Sequence, residues 1–291
     1  MAYLSLEEIV KDCEAKKIPF FRLVMEDDMQ ERGVSEKDSR TQMVKLWQAM
    51  RDAAKNYDAN ERSTSGLVGG AGGRMEEYRR NEEPLCGTFV SRVIAEALKM
   101  GECNACMKRI VAAPTAGACG VLPAVLVPFF EEHETEENVI LEALYTAAGI
   151  GQVIAARAYI AGASGGCQAE IGTASAMAAG ALVHLRGGSP RAIVHAAAMA
   201  IKNLLGLVCD PVAGLVEVPC VKRNVIGAMN ALSSADMALA GIESRIPPDQ
   251  VIDAMKEVGD LMSVSLKETG ESGLVGTPEG RSVQNRMLAG K

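Results

Sequence analysis

The sequence predicts an all-α fold, a helical bundle of closely packed Ala- and Gly-rich helices, and three observations carry that prediction. Strict alternation of apolar and polar residues is almost absent, so half-buried strands have no signal. Aromatic residues make up only 4% of the 291 residues while small residues abound, which lets helices approach closely. Helix start and stop signals recur along the chain.

Near the N-terminus, Ser5 followed by Glu8 forms a capping box, and Ser35 with Asp38 opens a second amphipathic stretch reaching Tyr57. Residues 60–80, "NERSTSGLVGGAGGRMEEYRR", break the apolar period with five glycines and several hydroxyls. They predict a flexible loop, or a place where backbone closely approaches something. From Leu85 onward the chain reads as helices, clearest at 139–160, 171–186, 190–207, 221–243 and 248–262. Gly187-Gly188 stops one of these, Ser189 with Pro190 starts the next, and Pro247-Pro248 precedes the last. The acidic run "EEHETEE" at 131–137 reads as a solvated loop or helix start. There is no repeat, heptad run or low-complexity tail. We read one domain over residues 1–291, with an N-terminal helical segment about 1–60 and a glycine-rich loop about 61–75.

Composition narrows the function. With 48% hydrophobic residues the chain can bury a substantial core. A net charge of −7 and a pI near 5.2 oppose a nucleic-acid partner, because Lys and Arg on phosphates supply most of that affinity. A small-molecule or protein partner is expected instead. The start "MAYLSLEEIVKDCEAKK" lacks a basic region followed by an apolar one, which predicts no signal peptide and a cytoplasmic location. The uncharged run at 120–130 is too short to cross a bilayer, so no membrane association is expected.

Eight cysteines in a reducing compartment are expected as buried thiols, metal ligands or nucleophiles rather than stable disulfides. The stretch "CDPVAGLVEVPC" at 209–220 poses the question most sharply, and disulfide, zinc, iron-sulfur and plain packing all remain open there. Cys167 and Cys220 open predicted helices, where free N–H groups lower a thiol's pKa and can bond a ligating sulfur; Cys209 closes one. Their separations of 42 and 11 positions match no tight pair typical of zinc ribbons or ferredoxins. Cys103 and Cys106 form a lone C-x2-C without a second pair or two histidines, and incidental thiols are the simpler reading. Cys13, Cys86 and Cys119 lack supporting context. His184 and His195 lie on apolar helices, where core histidines are commoner than catalytic ones.

Taken together, "RIVAAPTAGACGVLP" (109–123), "GGCQAEIGTASAMAAGAL" (165–182) and "KNLLGLVCDPVAGLVEVPCVKRN" (202–224) resemble the α chain of the iron-sulfur L-serine dehydratases. The similarity continues through "ADMALAGI" and "KETGESGLVGTP" and covers nearly the whole chain. It implies that Cys167, Cys209 and Cys220 bind three irons of a [4Fe-4S] cluster, with the fourth open to substrate as a Lewis acid for the serine β-hydroxyl. The implied products are pyruvate and ammonia, formed without pyridoxal phosphate.

The loops "PTAGACG" and "SGLVGG" match the family's Gly- and hydroxyl-rich loops, so Ser65, Thr115 and Gly117 are expected to hold substrate. Lys222, Arg223 and Asn224 follow Cys220 and are expected either to support cluster or substrate, or to form a capped helix start with solvated charges.

Departures from the family pattern shape the remaining expectations. Arg157, Tyr159, Ala161 and Ser164 stand where Asn, Ser, Ser and often Glu are usual, and "SGLSGGDA" becomes "SGLVGGAG", with Gly72 in the altered part. That pattern fits another small substrate, such as L-cysteine or L-threonine, or change on a nonessential face. A non-catalytic cluster-binding subunit is a further alternative. Single-chain relatives can end in a cysteine that caps the open iron; this sequence ends "MLAGK", which predicts that mode absent. The family's general base is a histidine in a "GHGTD"-like motif on a β domain, and no such motif occurs here. A separate β chain in an oligomer is therefore expected.

Overall fold

Helices form where caps and apolar period agree. In a computed structural model describing residues 3–289, α1 (Leu6–Lys16), α2 (Phe20–Arg32) and α3 (Glu36–Lys55) build the N-terminal segment. Ser5 Oγ accepts from Glu8 N at 3.2 Å and Ser35 Oγ from Asp38 N at 3.2 Å, the two caps the sequence predicts. After the glycine-rich loop come α4 (Ala71–Asn81), α5 (Gly87–Ala105), α6 (Val121–Glu132), α7 (Glu137–Arg157) and the single turn α8 (Gly162–Gly165). The chain continues through α9 (Cys167–Leu185), α10 (Pro190–Lys202), α11 (Cys220–Leu239), α12 (Pro248–Leu261) and α13 (Pro278–Ala289). Among the described residues there is no strand, only an isolated parallel bridge between Cys209 and Lys267. The all-α expectation holds. The final Gly290 and Lys291, on which the absence of a capping C-terminal cysteine turns, lie outside the described residues.

Helix α9 is the axis of the fold. It is apolar on every face and buried along nearly its whole length, as a helix surrounded by others must be. Helices α6, α7, α10 and α11 pack around it, and α5 supports α11 and α6 from outside. Small residues set the spacing. A Cβ on Gly180 would lie 2.1 Å from Ile150 Cδ1, and one on Gly227 would lie 2.8 Å from Val121 Cγ2 and 3.0 Å from Ile171 Cγ2. Among the described residues only α7 is long and apolar enough to cross a membrane; 61% of its apolar window is buried, against α9 and α2 among others.

Several boundaries differ from those expected. The helix expected over 190–207 stops at Lys202, and Gly206 at φ 83° turns the chain, so Cys209 follows a turn instead of closing a helix. The helix expected from 171 begins at Cys167, and the one expected through Ile160 ends at Arg157. The glycine-rich loop ends at Gly70, because α4 occupies part of the span read as loop. Tertiary partners make α4: the buried Glu102 carboxylate accepts from Ala71 N at 2.8 Å and Gly72 N at 3.1 Å, and Tyr57 OH accepts from Gly73 N at 3.0 Å. A carboxylate at a helix N-terminus satisfies amides that have no helical partner. Gly72 is required there, since its Cβ would lie 2.6 Å from Lys99 Cγ.

The packing makes one stability prediction. Leu126 of α6 is fully buried in the core. Leu126→Ala is expected to cost about 2–5 kcal/mol of unfolding free energy in urea titration, and a loss under about 1 kcal/mol would contradict this packing.

Candidate metal centre

Three short segments bring the three predicted cysteines together. Cys167 opens α9 directly after Gly166, whose φ of 77° and contact with Leu207 O, 3.0 Å from an added Cβ, leave no room for another residue. Gln168 locks that start: its N donates to Leu207 O at 2.9 Å, its Nε2 donates to Gly165 O and Met255 O at 3.0 Å each, and its Oε1 accepts from Gly206 N at 2.8 Å. Cys209 is pinned by its backbone, its N donating to Leu266 O at 2.8 Å and its O accepting from Glu268 N at 2.7 Å. Cys220 opens α11 after the cis Val218-Pro219 peptide. None of the three is in a disulfide, and all are buried.

Arg223 and Asn224, one turn into α11, tie these segments together. Arg223 Nη1 donates to Val208 O at 2.8 Å and Nη2 to Asp210 Oδ1 at 2.7 Å, and the guanidinium also reaches the Cys167 thiol. Asp210 Oδ2 in turn accepts from Leu274 N at 2.8 Å. Asn224 Oδ1 accepts from Gly120 N at 2.8 Å, while Nδ2 donates to Gly117 O at 2.8 Å and Cys220 O at 3.0 Å. The amide of Asn224 thus fixes the Thr115–Gly120 turn against the Cys220 end of α11. Lys222 is exposed.

Thr115 and Gly117 meet at Glu170, a residue the sequence reading missed. Thr115 Oγ1 donates to Glu170 Oε1, and a Cβ on Gly117 would lie 2.7 Å from the same oxygen. A Cβ on Gly162 would lie 2.6 Å from Cys209 Sγ and 3.8 Å from Glu170 Oε2, so this carboxylate stands beside the thiol with only glycine between. Burial pushes the Glu170 carboxyl above its usual value, helped by the charge of Glu268 and opposed by Thr115 and Arg223. A signal was present, since Glu170 is the one charged residue between Cys167 and Val183. Ser65 is held elsewhere: with Ser63 it donates to Glu217 Oε2, three residues before Cys220.

The family-divergent positions fall mostly on another face. Arg157 pairs with Asp253 of α12 at 2.6 Å, and Tyr159 OH donates to Asp260 at 2.7 Å with Lys256 over its ring. Ala161 caps α8 and Ser164 is exposed. Cys103 is buried with its thiol against Ala53 O at 3.6 Å, and Cys106 caps α5, which fits the reading of incidental thiols.

Electrostatics correct one expectation. Cys167 and Cys220 begin helices, yet burial outweighs the helix ends and pushes each thiol up to about 12, with Glu170 adding to both shifts and the Cys167 thiol to that of Cys220. Cys209 is raised in the same direction by burial and by Cys167. Metal binding here must therefore displace protons. Among the described residues no three His, Cys, Asp or Glu side chains converge on a single metal ion. Three inward thiols around glycines suit a cluster better, because each sulfur then binds a different iron.

The raised thiols make a sign-defined prediction. A folded-state thiol pKa near 12 against an ordinary 9 contributes stability below pH about 9 that is lost as pH rises toward about 12. In the metal-free chain at about pH 8, iodoacetamide is expected to label exposed Cys86 first and to spare Cys167, Cys209 and Cys220 until denaturant is added. Equally fast labelling of any of the three in the native chain, read by mass spectrometry, would contradict the site.

Comparison with known proteins shows the family to which the chain belongs. Residues 15–275 match the family described as serine dehydratase alpha chain. The chain is 42% identical over 288 residues to a probable L-serine dehydratase alpha chain of Bacillus subtilis, covering 99% of this chain and 96% of the relative. It is 42% identical over 285 residues to the L-serine dehydratase alpha chain of Peptoniphilus asaccharolyticus, covering 98% of each. An L-serine dehydratase of Escherichia coli is 35% identical over 283 residues, and the match spans 93% of this chain but only 61% of that longer protein. With all three inward cysteines inside the matched span, the chain belongs to the serine dehydratase alpha chain family.

Proposed function

We propose that the chain is the cluster-bearing subunit of a lyase that converts L-serine to pyruvate and ammonia, completed by a separate β chain. The observation that carries this reading is the set of three buried, unbridged thiols on Cys167, Cys209 and Cys220 in a chain of this family. The α-chain names of the relatives support a partner subunit. A [4Fe-4S] cluster held by the thiolates of Cys167, Cys209 and Cys220 would supply a Lewis acid toward the β-hydroxyl.

The chain's own residues then bind and orient. Backbone amides of the Thr115–Gly120 turn, fixed by Asn224, offer donors for the substrate carboxylate. Gly117 and Gly162 keep the space beside Glu170 and Cys209 clear of side chains. Glu170, whose carboxyl burial pushes above its usual value, stands beside Cys209 where it can deliver a proton to the leaving hydroxyl, while the base for the α-proton comes from the partner. Loss of water leaves aminoacrylate, which tautomerises and takes up one water to give pyruvate and ammonia. Arg223 and Ser65 act through others in this scheme: Arg223 holds the Cys167 and Cys209 segments, and Ser65 holds Glu217 in the loop ahead of Cys220. Arg157 and Tyr159 face α12, so their change from the family pattern favours the serine reading over a desulfidase or threonine enzyme.

Anaerobic reconstitution with iron and sulfide tests the reading. About four of each per chain are expected in the parent and an unstable or missing cluster in Cys220→Ala. With the partner chain added, pyruvate should form from L-serine, with hydrogen sulfide from L-cysteine and 2-oxobutyrate from L-threonine slower. Glu170→Gln is expected to keep its iron and lose about 100-fold or more in kcat. A parent chain that retains no iron would sink the proposal, and faster turnover of cysteine or threonine would reassign the substrate.

A further inference from the structure

A second cleft lies at the other end of the cysteine-bearing helices. Between the C-terminal parts of α9 and α11, the start of α5 and the end of α6, it encloses about 300 Å3. Leu182 is fifteen residues along α9 from Cys167, about 22 Å at helical rise, so this cleft is distinct from the cysteine site. Phe89, Phe129 and Leu182 make its wall apolar, and the His133 ring sits 4.4 Å from Phe129 and 6.0 Å from Phe89, centroid to centroid. Arg186 and Asp236 also line it, one at each helix, and neither side chain has a hydrogen bond or ion pair among the described residues.

An apolar cavity of this size with a few convergent polar groups is the ordinary form of a small-molecule site. Here the polar groups besides the His133 imidazole are one guanidinium and one carboxylate, both uncommitted. The matching ligand carries an anion and a cation close together and an apolar body beyond them. Guanidinium recognises carboxylate through paired N–H donors, and the carboxylate of Asp236 suits an ammonium. The aromatic wall excludes a hydroxymethyl side chain as the best fit and favours one without polar atoms.

We propose that this cleft binds a free L-α-amino acid with an aliphatic or aromatic side chain. Its carboxylate rests on Arg186, its ammonium on Asp236, and its side chain against Phe89, Phe129 and His133. The inference stands whether or not the reaction proposed above is correct.

Calorimetric titration of the full chain with L-leucine and L-phenylalanine tests it, beside 4-methylpentanoate, which lacks the ammonium, and isoamylamine, which lacks the carboxylate. At least one of the two amino acids is expected to saturate a single site. The two analogues, and Arg186→Gln or Asp236→Asn, should each weaken binding about tenfold or more, as loss of one charge-assisted contact does. Both variants alter exposed side chains, so circular dichroism and melting should be unchanged. Cys220→Ala should bind the same amino acid as the parent does, and loss there would place the ligand at the cysteine site and overturn the proposal. Absence of saturation by both amino acids, or binding untouched by both charge variants, would overturn it as well.

Discussion

A guanidinium buried one turn into α11 must find partners or impose a cost of several kcal/mol on the fold. Arg223 finds them on the segments that carry the three site cysteines: Val208 O and Asp210 around Cys209, the thiol of Cys167 on α9, and its own helix, which begins with Cys220. Asp210 extends the link to Leu274 N, tying the turn at 273–276 to the loop. Because one charge serves all these contacts, the three cysteines cannot drift independently. Their relative placement depends on a single ion pair with its accompanying hydrogen bonds.

That arrangement needs a stiff frame, and the small residues supply it. Gly180 against Ile150 and Gly227 against Val121 and Ile171 bring helix axes closer than larger side chains permit. Close-packed interiors transmit strain and resist repacking. The N-terminal ends of α9 and α11 are thereby held in register by contacts several turns away, and Gln168 repeats the principle locally by joining α9, α12 and the Gly206 turn. A polar side chain engaged in this way specifies one geometry rather than adding much net stability.

Much of this was legible in the sequence, and the illegible parts share a cause. Ser5, Ser35 and Ser189 with Pro190 announce helix starts because their partners lie within three residues. The cysteines announced themselves through motifs resembling a family, although their spacing said little. Helix α4 was hidden because its N-terminus is capped by Glu102 and Tyr57, from thirty and sixteen residues away. Glu170 was hidden because its partner Thr115 is 55 residues distant, and Cys209 was misplaced because Gly206 turned a chain whose apolar period suggested more helix. Local chemistry reads from sequence; contacts that close long loops do not.

The charge balance of the site explains why its thiols resist ionisation. Cys167, Cys209 and Cys220 share a buried space with Glu170, and Glu268 adds its field, while Arg223 is the cation acting on two of the thiols. Each negative charge added there raises the next proton's affinity, so the metal-free chain keeps its thiols protonated. Cations held by the sulfurs reverse that logic, since a metal's charge stabilises the anions around it and deprotonates the thiols that bind it. An acidic, glycine-lined hollow with one arginine is poorly suited to lone thiolates and well suited to the proposed iron-sulfur cluster.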